Sequence, residues 1–542
     1  NSQRLRAFRN MIRINHITLA FDHGPTALEK AVLSKLEIPK KALLGFRIVR
    51  KSIDARKKNR ILTVYSVDAQ VEDEPQILLG LATDRHITPS PDLRYRAPDP
   101  ILQKKRTPPV VVGTGPCGLF AGLILAEAGL RPILVERGKA VQSRVRDVQS
   151  FWKKGRFNPE SNVPFGEGGA GTFSDGKLTT QIRDGKNRIR KVLLELVKAG
   201  APEEILYEAK PHLGTDNLIR VVRNLRKTIL DLGGQVRFET KLTDIRIKEG
   251  SVYEAIFNDS EAVHTNTLVL ALGHSARDTF QMLHEQRIPI TPKAFSMGVR
   301  IEHPQALIDE VQYGPSASHP RLGPSDYRLV HHCPNGRAAY TFCMCPGGRV
   351  IGASSEPDGI VVNGMSLYAR NSPNANSALL VGVNPADFGS NSPLSGVSFQ
   401  RQWERKAFEM GGGDYFAPVQ RVEDFLSGRP SVAMGQVNPS YLPGTTPGDL
   451  TGCLPNFVID ALQLAIPALN RKLRGFLMGD AVLTAVETGS SSPLRILRDK
   501  TFQSPDISGL YPAGEGAGYA GGIISSAVDG IRVAEAIINK TG

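Results

Sequence analysis

Two cysteines separated by a single residue could carry redox chemistry. They are Cys343 and Cys345, within the segment TFCMCPGG at residues 341–348. A strand is predicted over 341–345, which would turn both side chains to one face and set their Cα atoms about 6.5–7 Å apart. That distance is at the limit for a disulfide, so a permanent bridge is not expected. The pair either relays electrons as a dithiol or packs as two buried core thiols.

Single polar side chains elsewhere could act as acid, base or anion ligand. Lys177, in the turn SDGK, could reach a cofactor or a substrate anion, or remain a solvated lysine. Glu487 and His274 could exchange protons, although a lone ionisable group without a visible partner is more often structural. A middle segment offers polar residues for a substrate, among them a guanidinium for a carboxylate: Asn363, Ser366 and Arg370. The catalytic candidates are therefore Cys343, Cys345, Lys177 and Glu487.

A dithiol relay needs an electron carrier beside it, and the segment at 108–138 predicts a dinucleotide site. It reads PPVVVGTGPCGLFAGLILAEAGLRPILVERG. A buried strand leads into a GxGxxG turn, which lets a pyrophosphate approach the N-terminus of the following helix. A second strand ends at Glu136, where an acid accepts hydrogen bonds from ribose hydroxyls. NAD and FAD both fit this pattern, whose glycines are Gly113, Gly115 and Gly118.

Two further segments bear on that choice. The first, FGEGGAGTFSDGK at 165–177, is so rich in glycine that its backbone is expected to approach a ligand, unless it is a flexible surface loop. The second, at 233–278, alternates as three or four short strands. It ends in an apolar strand at 267–272 followed by Gly273, a pattern typical of the strand that crosses back into a flavin-binding sheet.

A third segment, GLYPAGEGAGYAGGIISSAVDGIRVAEAI at 509–537, predicts a strand that ends at Glu515, a glycine turn and a helix from Ile523. The acid could hold a ribityl or ribose hydroxyl. The helix N-terminus could face the N1/C2=O edge of a flavin and favour its anionic reduced form. A simple NAD dehydrogenase needs no such C-terminal return, so the elements together indicate a flavoprotein with the two-dinucleotide-fold architecture.

Longer motifs carry a resemblance to a known family: FGEGGAGTFSDGKL, FSMGVRIEHPQ, YTFCMCPGG, VVNGMS, SSPLRILRD and GLYPAGEGAGYAGGI. The chain resembles the uncharacterised FAD-dependent dehydrogenases, also labelled NAD(FAD)-utilizing dehydrogenases. The resemblance implies tightly bound FAD and little about the substrate, because that family has no settled activity. The positions that it implies for FAD are Gly113, Gly115, Gly118, Glu136, Gly168, Gly169, Gly273, Glu515, Gly521 and Gly522. The predicted cofactor set also includes Pro116, Cys117, Arg137, Arg144, Ala170, Lys177, Leu242, Ala271, Gly514 and Ile523.

The predicted fold class is α/β. It comprises an FAD-binding Rossmann-like domain of the glutathione-reductase type with a discontinuous C-terminal return, an inserted α+β substrate domain, and a small N-terminal α+β module (β-α-β-β). Six prolines between Thr88 and Pro109 predict an extended linker after that module. The expected boundaries are 1–88 for the basic module, 89–108 for the linker, 109–285 for the FAD-binding domain, 286–470 for the inserted domain and 471–542 for the return.

Composition limits the classes of protein. At 542 residues there is room for two or three domains, and residues before Met11 are assigned no fold. The five cysteines are too few for a disulfide framework and favour a reducing compartment. No signal peptide, membrane-length apolar run or metal-ligand spacing is predicted, so the expected location is cytoplasmic. Residues 1–106 hold 21 Lys and Arg against 11 Asp and Glu, which is most of the +14 net charge.

These observations predict an FAD-dependent oxidoreductase, or dehydrogenase, acting on an unidentified organic substrate. NAD(P)H is a candidate electron donor or acceptor, although no separate NAD(P)H domain is evident. The segment ALGHSARD replaces the Asp-Gly pair of some aromatic hydroxylases, which counts against a monooxygenase. The basic N-terminal module leaves an alternative open, an RNA-associated flavoprotein similar to tRNA-modifying enzymes, or a dock for an acidic partner. A flavin-binding protein without turnover is the third alternative.

Overall fold

The structure, a computed structural model, describes residues 11–99 and 107–541. The predicted linker at 89–108 therefore lies partly outside the described residues, as do residues 1–10. None of the helices within the described ranges is both long and apolar enough to cross a bilayer.

The first unit is a four-stranded antiparallel sheet with a helix on one face. Alternation puts Ile12, Ile14 and Ile17 into its core, where Leu28 and Val32 of the helix meet them. The strands are ordered β2-β3-β1-β4, so the predicted β-α-β-β pattern is extended by one short strand. The elements are β1 (Ile12–Ala20), α1 (Ala27–Leu36), β2 (Leu43–Asp54), β3 (Leu62–Val71), α2 (Glu74–Gly80) and β4 (Ile87–Pro89).

This unit is docked on the rest of the chain through strand β2. The Lys51 amide donates to the Tyr207 carbonyl at 2.8 Å, and the Ala209 amide donates to the Lys51 carbonyl at 2.8 Å. The Lys51 ammonium also lies 2.8 Å from the Glu208 carboxylate. Main-chain pairing on an edge strand fixes the position of the unit more firmly than side-chain contacts alone.

The second unit is built on a parallel sheet. Its first strand is fully buried on both faces, as expected when helices cover both sides of a parallel sheet. Three further strands form a separate antiparallel sheet that leads back to it. The elements are β5 (Val110–Val112), α3 (Pro116–Glu127), β6 (Ile133–Val135), α4 (Val141–Lys154), α5 (Arg188–Lys198), α6 (Gly214–Asp231), β7 (Gln235–Arg237), β8 (Leu242–Lys248), β9 (Ser251–Phe257), β10 (Glu261–His264), β11 (Leu268–Leu270) and α7 (Arg277–Glu285).

The third unit is built on a seven-stranded mixed sheet ordered β14-β15-β18-β13-β21-β19-β20. Its two central strands are buried along nearly their whole length. The elements are β12 (Ile290–Pro292), β13 (Phe295–Pro304), α8 (Gln305–Tyr313), β14 (Val330–His332), β15 (Ala338–Cys345), β16 (Arg349–Gly352), β17 (Val362–Met365), β18 (Asn374–Val383), α9 (Ser395–Gly411), β19 (Ala417–Arg421), α10 (Val422–Leu426), β20 (Thr445–Pro447), α11 (Asn456–Asn470), β21 (Val482–Glu487) and β22 (Leu494–Ile496).

One expected boundary differs from the structure. Residues 471–542 were expected to return to the FAD-binding domain, but β21 lies inside the seven-stranded sheet, between β13 and β19. Strand β22 pairs with β12, at the start of the same unit. The segment preceding the return therefore belongs to the third unit, because β21 supplies hydrogen bonds to strands on both of its sides.

The chain returns to the parallel sheet only with its last two elements, β23 (Leu510–Pro512) and α12 (Ile523–Thr541). Strand β23 pairs with β11 and completes the order β23-β11-β5-β6-β7, in which each neighbouring pair is parallel. Helix α12 packs on α3, and a Cβ added at Gly530 would lie 2.1 Å from the Cys117 carbonyl oxygen. The two helices are this close because Gly530 has no side chain.

Replacing Gly530 with alanine is expected to destabilise the protein. The added methyl group would overlap backbone of α3, and overpacking of this kind costs about 1–3 kcal/mol. We expect a lower midpoint of thermal unfolding for Gly530→Ala in circular dichroism melts. The control is Gly80→Ala at the end of α2, where nothing described lies within 4 Å of the new Cβ. An unchanged midpoint for Gly530→Ala would show that the helices separate without cost.

Candidate functional site

The turn between β5 and α3 is shaped by two glycines that no other residue could replace without displacing backbone. Gly113 has a φ of +102°, and a Cβ there would lie 2.4 Å from the Ala271 oxygen. A Cβ at Gly118 would lie 1.8 Å from the Gly113 oxygen. The predicted GxGxxG turn thus holds the first turn of α3 tightly against its own strand, with the helix N-terminus directed outwards.

The side chain of Glu136, at the end of β6, accepts hydrogen bonds from three separate segments of the backbone. One carboxylate oxygen accepts from the Thr114 amide and hydroxyl at 3.0 and 2.9 Å. The other accepts from the amides of Gly138 and Gly166, each at 3.0 Å. Four protein donors therefore surround the carboxylate that the sequence predicts as a ribose ligand, and its ribose role stays a prediction.

The glycine-rich segment at 162–173 is an ordered loop held by one arginine. The fully buried guanidinium of Arg144 donates to backbone carbonyls rather than to a carboxylate. Its sequence-predicted role as a cofactor ligand is replaced here by anchoring of this loop, because its donors are directed to the chain itself. The accepting carbonyls, at 2.5–3.2 Å, are those of Asn162, Val163, Gly166, Glu167 and Gly169.

The same loop lies across the N-termini of both α3 and α12. The Gly168 amide donates to the Thr114 carbonyl at 2.9 Å. A Cβ at Gly169 would lie 3.1 Å from the Cα of Gly115, and one at Gly171 would lie 3.4 Å from Ile523. The short 3-10 helix Ala170–Phe173 is therefore placed over two helix N-termini, which are favourable positions for an anionic ligand.

An open groove runs along the carboxyl edge of the parallel sheet. Among the described residues, no heavy atom lies within 4 Å of a Cβ built on Gly273, after β11, or on Gly521, before α12. His274 and Glu515 face each other there, with Nδ1 and Oε1 3.5 Å apart. Ligands of open α/β sheets bind at this edge, where Gly273 and Gly521 leave open space.

A small cavity of about 20 Å³ lies between the second and third units, which is room for about one water molecule. Ala170 and His274 line it from one side, and Asn363 and Thr488 from the other. The two units are tied together at its wall by a buried ion pair, since both terminal nitrogens of Arg277 lie 2.7 Å from the Glu404 carboxylate. A bidentate buried pair of this kind fixes the relative position of α7 and α9.

Lys177 lies where the glycine-rich segment meets the third unit. Its ammonium donates to the carbonyl of Met344, between the two cysteines of β15, and lies 3.1 Å from the Asp175 carboxylate. Arg370 donates two hydrogen bonds to the Asp175 carboxylate, at 2.9 and 2.7 Å, and the Ser366 hydroxyl donates a third. Burial opposes ionisation, but Lys177 and Arg370 hold the pKa of Asp175 below its usual range.

The predicted substrate ligand Arg370 is thus already paired with a carboxylate of the chain. Ser366, from the same predicted substrate segment, also donates its hydroxyl hydrogen to that carboxylate. A free guanidinium for a substrate acid is therefore absent at this position, because Asp175 accepts two of its hydrogen bonds.

Arg300 connects the cysteines, Glu487 and the cavity. Its fully buried guanidinium donates to the Glu487 carboxylate at 2.5 and 3.2 Å, and to the Cys343 carbonyl at 3.0 Å. It also donates at 2.9 Å to the side-chain oxygen of Asn363, which lines the cavity. Burial raises the pKa of Glu487 to about 7, against the opposing effect of Arg300.

The structure places several predicted cofactor residues behind the groove rather than in it. Arg137 pairs with Glu160 and Asp278, each at 2.8 Å. Cys117 is buried, and burial raises the pKa of its thiol. The apolar members of the predicted set, Leu242 and Ala271, lie in the hydrophobic core. Gly514 is buried against Cys117. The positions that border the groove or the overlying loop are Gly115, Pro116, Gly168, Gly169, Ala170, Gly273, Glu515, Gly521, Gly522 and Ile523.

Sequence reasoning missed Arg300, Asp175 and the Arg277–Glu404 pair. A signal existed for Arg300, because it is the charged residue in the apolar run FSMGVRI, which folds as a buried strand. A charged side chain in such a run requires a buried partner. That partner, Glu487, is 187 positions away along the chain, and no local pattern identifies it.

Three family models match parts of this chain. A model described as FAD-dependent protein, C-terminal domain-like, matches residues 294–490, which cover most of the third unit. A model described as FAD binding domain matches residues 106–148, which contain the GxGxxG turn and Glu136. A domain of unknown function matches residues 11–70 of the first unit.

Similar proteins are found among solved structures and curated sequences. The structure of CtdE in complex with FAD is 11% identical, covers 80% of this chain and 84% of its own, and has a TM-score of 0.30. A geranylgeranyl bacteriochlorophyll reductase-like protein of Thermoplasma acidophilum is 11% identical, with coverages of 80% and 79% and a TM-score of 0.34.

A curated sequence matches the chain over almost its full length. An uncharacterized protein of Clostridium beijerinckii is 49% identical over 530 residues, which are 98% of this chain and 99% of that protein. With the FAD-binding models on both large units, FAD is the cofactor. The chain therefore belongs to the same family as the Clostridium beijerinckii protein, a family of FAD-dependent proteins.

Proposed function

We propose that this protein is an FAD-dependent oxidoreductase with an FAD-binding domain of the glutathione-reductase type, acting on an organic substrate where the second and third units meet. The observation that carries the proposal is that the small cavity between these units, lined by Ala170 and His274, adjoins the predicted cofactor groove. It also adjoins the buried Arg300–Glu487 pair through Asn363. A cofactor groove beside a junction between two domains, with ionisable side chains in its walls, is a common arrangement of an enzyme site.

The residues present fit FAD. Gly273 and Gly521 leave space where any side chain would fill the groove, and Gly115 opens the N-terminus of α3 towards it. The N-terminus of α3 suits the pyrophosphate, and that of α12 suits the electron-rich edge of the flavin ring. Glu515, at the mouth of the groove, is in a position to accept from a ribityl hydroxyl.

When bound, FAD supplies the transfer of a hydride or an electron pair, and the chain supplies orientation and charge. Ala170 and the rest of the glycine-rich loop separate the groove from the cavity, so substrate approaches the flavin along this loop. Glu487, with a pKa near 7, is able to hold or release a proton at neutral pH. NAD(P)H is a proposed electron donor, and would enter from the open cleft bordered by Gln181 and Tyr519.

The proposal is tested by anaerobic reduction of the bound flavin. The purified holoprotein is mixed with NADH, with NADPH or with dithiothreitol, and the visible flavin absorbance is followed. Bleaching by at least one donor, reversed by air, is expected of an oxidoreductase. A protein that keeps its oxidised spectrum with every donor would instead be a flavin-binding protein without turnover.

Replacing Gly118 with alanine is expected to remove FAD. The new Cβ would lie 1.8 Å from the Gly113 oxygen, so the turn that faces the pyrophosphate must move. A penalty of about 1–3 kcal/mol corresponds to roughly tenfold or more in Kd. We expect a much lower ratio of flavin to protein absorbance after gel filtration. The control is Gly185→Ala, where no described heavy atom lies within 4 Å of the Cβ. Equal FAD content in both variants would place the cofactor elsewhere.

The raised pKa of Glu487 predicts a dependence of stability on pH. The folded state binds this proton more tightly than the unfolded chain, whose carboxyl titrates near 4.5. The resulting stability is complete below pH 4.5 and is lost as the pH rises to about 7. The difference in melting temperature between the wild type and Glu487→Gln should therefore fall across this range and then level off.

The matched control for this experiment is Glu409→Gln, on the exposed face of α9. Its difference from the wild type is expected to be nearly constant with pH. A constant difference for Glu487→Gln as well would mean that Arg300 keeps the Glu487 carboxylate ionised over the whole range.

A further inference from the structure

The end of strand β15 is not a regular strand at the two cysteines. Cys343 has a φ of +44°, in the left-handed region that non-glycine residues seldom adopt. The pairing of β15 with β18 shifts register between Phe342 and Cys345. The spacing of about 6.5–7 Å expected for an extended strand therefore does not apply to this pair, since the chain bends between them.

The bend brings the Cys345 side chain against the backbone of Cys343. The Cys345 thiol lies 3.3 Å from the Cys343 carbonyl oxygen. Cys345 is fully buried, whereas Cys343 is a partly exposed residue, and both are free thiols. A partly exposed cysteine beside a buried one suits an attacking and a resolving cysteine.

Two cations stabilise negative charge at this position. Lys177 donates to the carbonyl of Met344, and Arg300 donates to the carbonyl of Cys343 at 3.0 Å. The interaction with Cys345, aided by the charges of Lys177 and Arg300, lowers the pKa of the Cys343 thiol to about 5 against the effect of burial. The same interaction, together with burial, raises the pKa of Cys345. The pair thus favours one thiolate and one thiol.

A short segment of the chain connects the pair to the predicted flavin position. The backbone at Gly171 faces Ile523, the first residue of α12, and the chain reaches Lys177 six residues later. A segment of that length spans at most about 20 Å when fully extended. The ammonium of Lys177 contacts the Cys343–Cys345 turn, so one short segment connects the N-terminus of α12 to both sulfurs.

We propose that Cys343 and Cys345 are a redox-active pair that exchanges two electrons with FAD and is itself reduced by a small dithiol substrate; this inference rests on the proposed function. A substrate thiolate attacks the Cys343 sulfur of the oxidised pair, and the second substrate thiol completes the exchange and gives up its proton to Cys345, leaving a substrate disulfide, the Cys343 thiolate and the Cys345 thiol. The Cys343 thiolate and the Cys345 thiol then form one S–S bond. Two electrons and the Cys345 proton pass to oxidised FAD, which becomes reduced FAD.

The first test reads the cysteines rather than activity. Holoprotein is kept anaerobic with its FAD oxidised, or with its FAD photoreduced, and is then denatured in iodoacetamide and mapped by mass spectrometry. Cys343 and Cys345 should be alkylated in the photoreduced sample and joined in the oxidised one. Cys117, Cys333 and Cys453 are internal controls, because they are buried and should label equally in both. Equal labelling of Cys343 in both samples would overturn the proposal.

Cysteine variants separate this inference from the proposed function. In Cys343→Ser and Cys345→Ser, flavin reduction by dithiothreitol should slow by about tenfold or more, whereas Cys333→Ser should match the wild type. Retained FAD absorbance shows that the variants are folded. Unchanged dithiothreitol reduction in both variants overturns the dithiol inference and leaves the oxidoreductase intact. A wild-type flavin that no donor reduces overturns the proposed function as well.

The role of Lys177 is that of a positioning residue, and its test is the pH profile of Cys343 alkylation in the native holoprotein. The wild-type rate should reach half its maximum near pH 5, the pKa of Cys343. Lys177→Met should move the midpoint upwards by about one unit or more, because a cation beside a thiolate lowers its pKa. The exposed Lys186→Met is the control. A midpoint unaffected by Lys177→Met, or one near that of an ordinary thiol in the wild type, would contradict the assignment.

Discussion

The site depends on how one buried guanidinium is satisfied. Arg144 is fully buried and distributes its five N–H donors over backbone carbonyls of residues 162–169. A cation without a carboxylate partner is costly to bury, and burial lowers the pKa of Arg144 to about 10. All five carbonyl groups therefore have to keep accepting hydrogen bonds from Arg144. These hydrogen bonds fix the conformation of a loop that its glycines would otherwise make flexible. With the loop fixed, Glu136 and Thr114 set its distance from the β5–α3 turn.

From this loop the chain continues directly to Asp175 and Lys177, whose side chains contact the third unit. Asp175 forms an ion pair with Arg370, and Glu487 forms one with Arg300. Lys177 donates a hydrogen bond to the cysteine-bearing turn. The cations are positioned by carboxylates, and their remaining donors stabilise negative charge near Cys343. The glycine-rich segment thus contacts both the predicted cofactor groove and the cysteine-bearing turn, although these are built on different sheets.

The local elements of this fold were predictable from the sequence because their signals are local. Alternation predicted β1 to β3, and glycine spacing with an apolar strand predicted the turn at Gly113 and the helix that begins at Ile523. The candidate site was predicted in part: Cys343, Lys177 and Glu487 were named, but not the arginine that joins them. The contact between Arg300 and Glu487, and the bend at Cys343, arise from pairing of strands distant in sequence. Arg144 is the opposite case. It was predicted to bind the cofactor because it lies near the motif, but its guanidinium donates to backbone carbonyls instead.

The order of the strands has a consequence for how the holoprotein is made. Strand β23 and helix α12 lie beside β11 and α3, yet they are synthesised after the whole third unit. On the ribosome, the nascent chain presents the β5–α3 turn hundreds of residues before the other half of the groove exists. The groove is therefore complete only after α12 has been synthesised and has packed on α3 through Gly530.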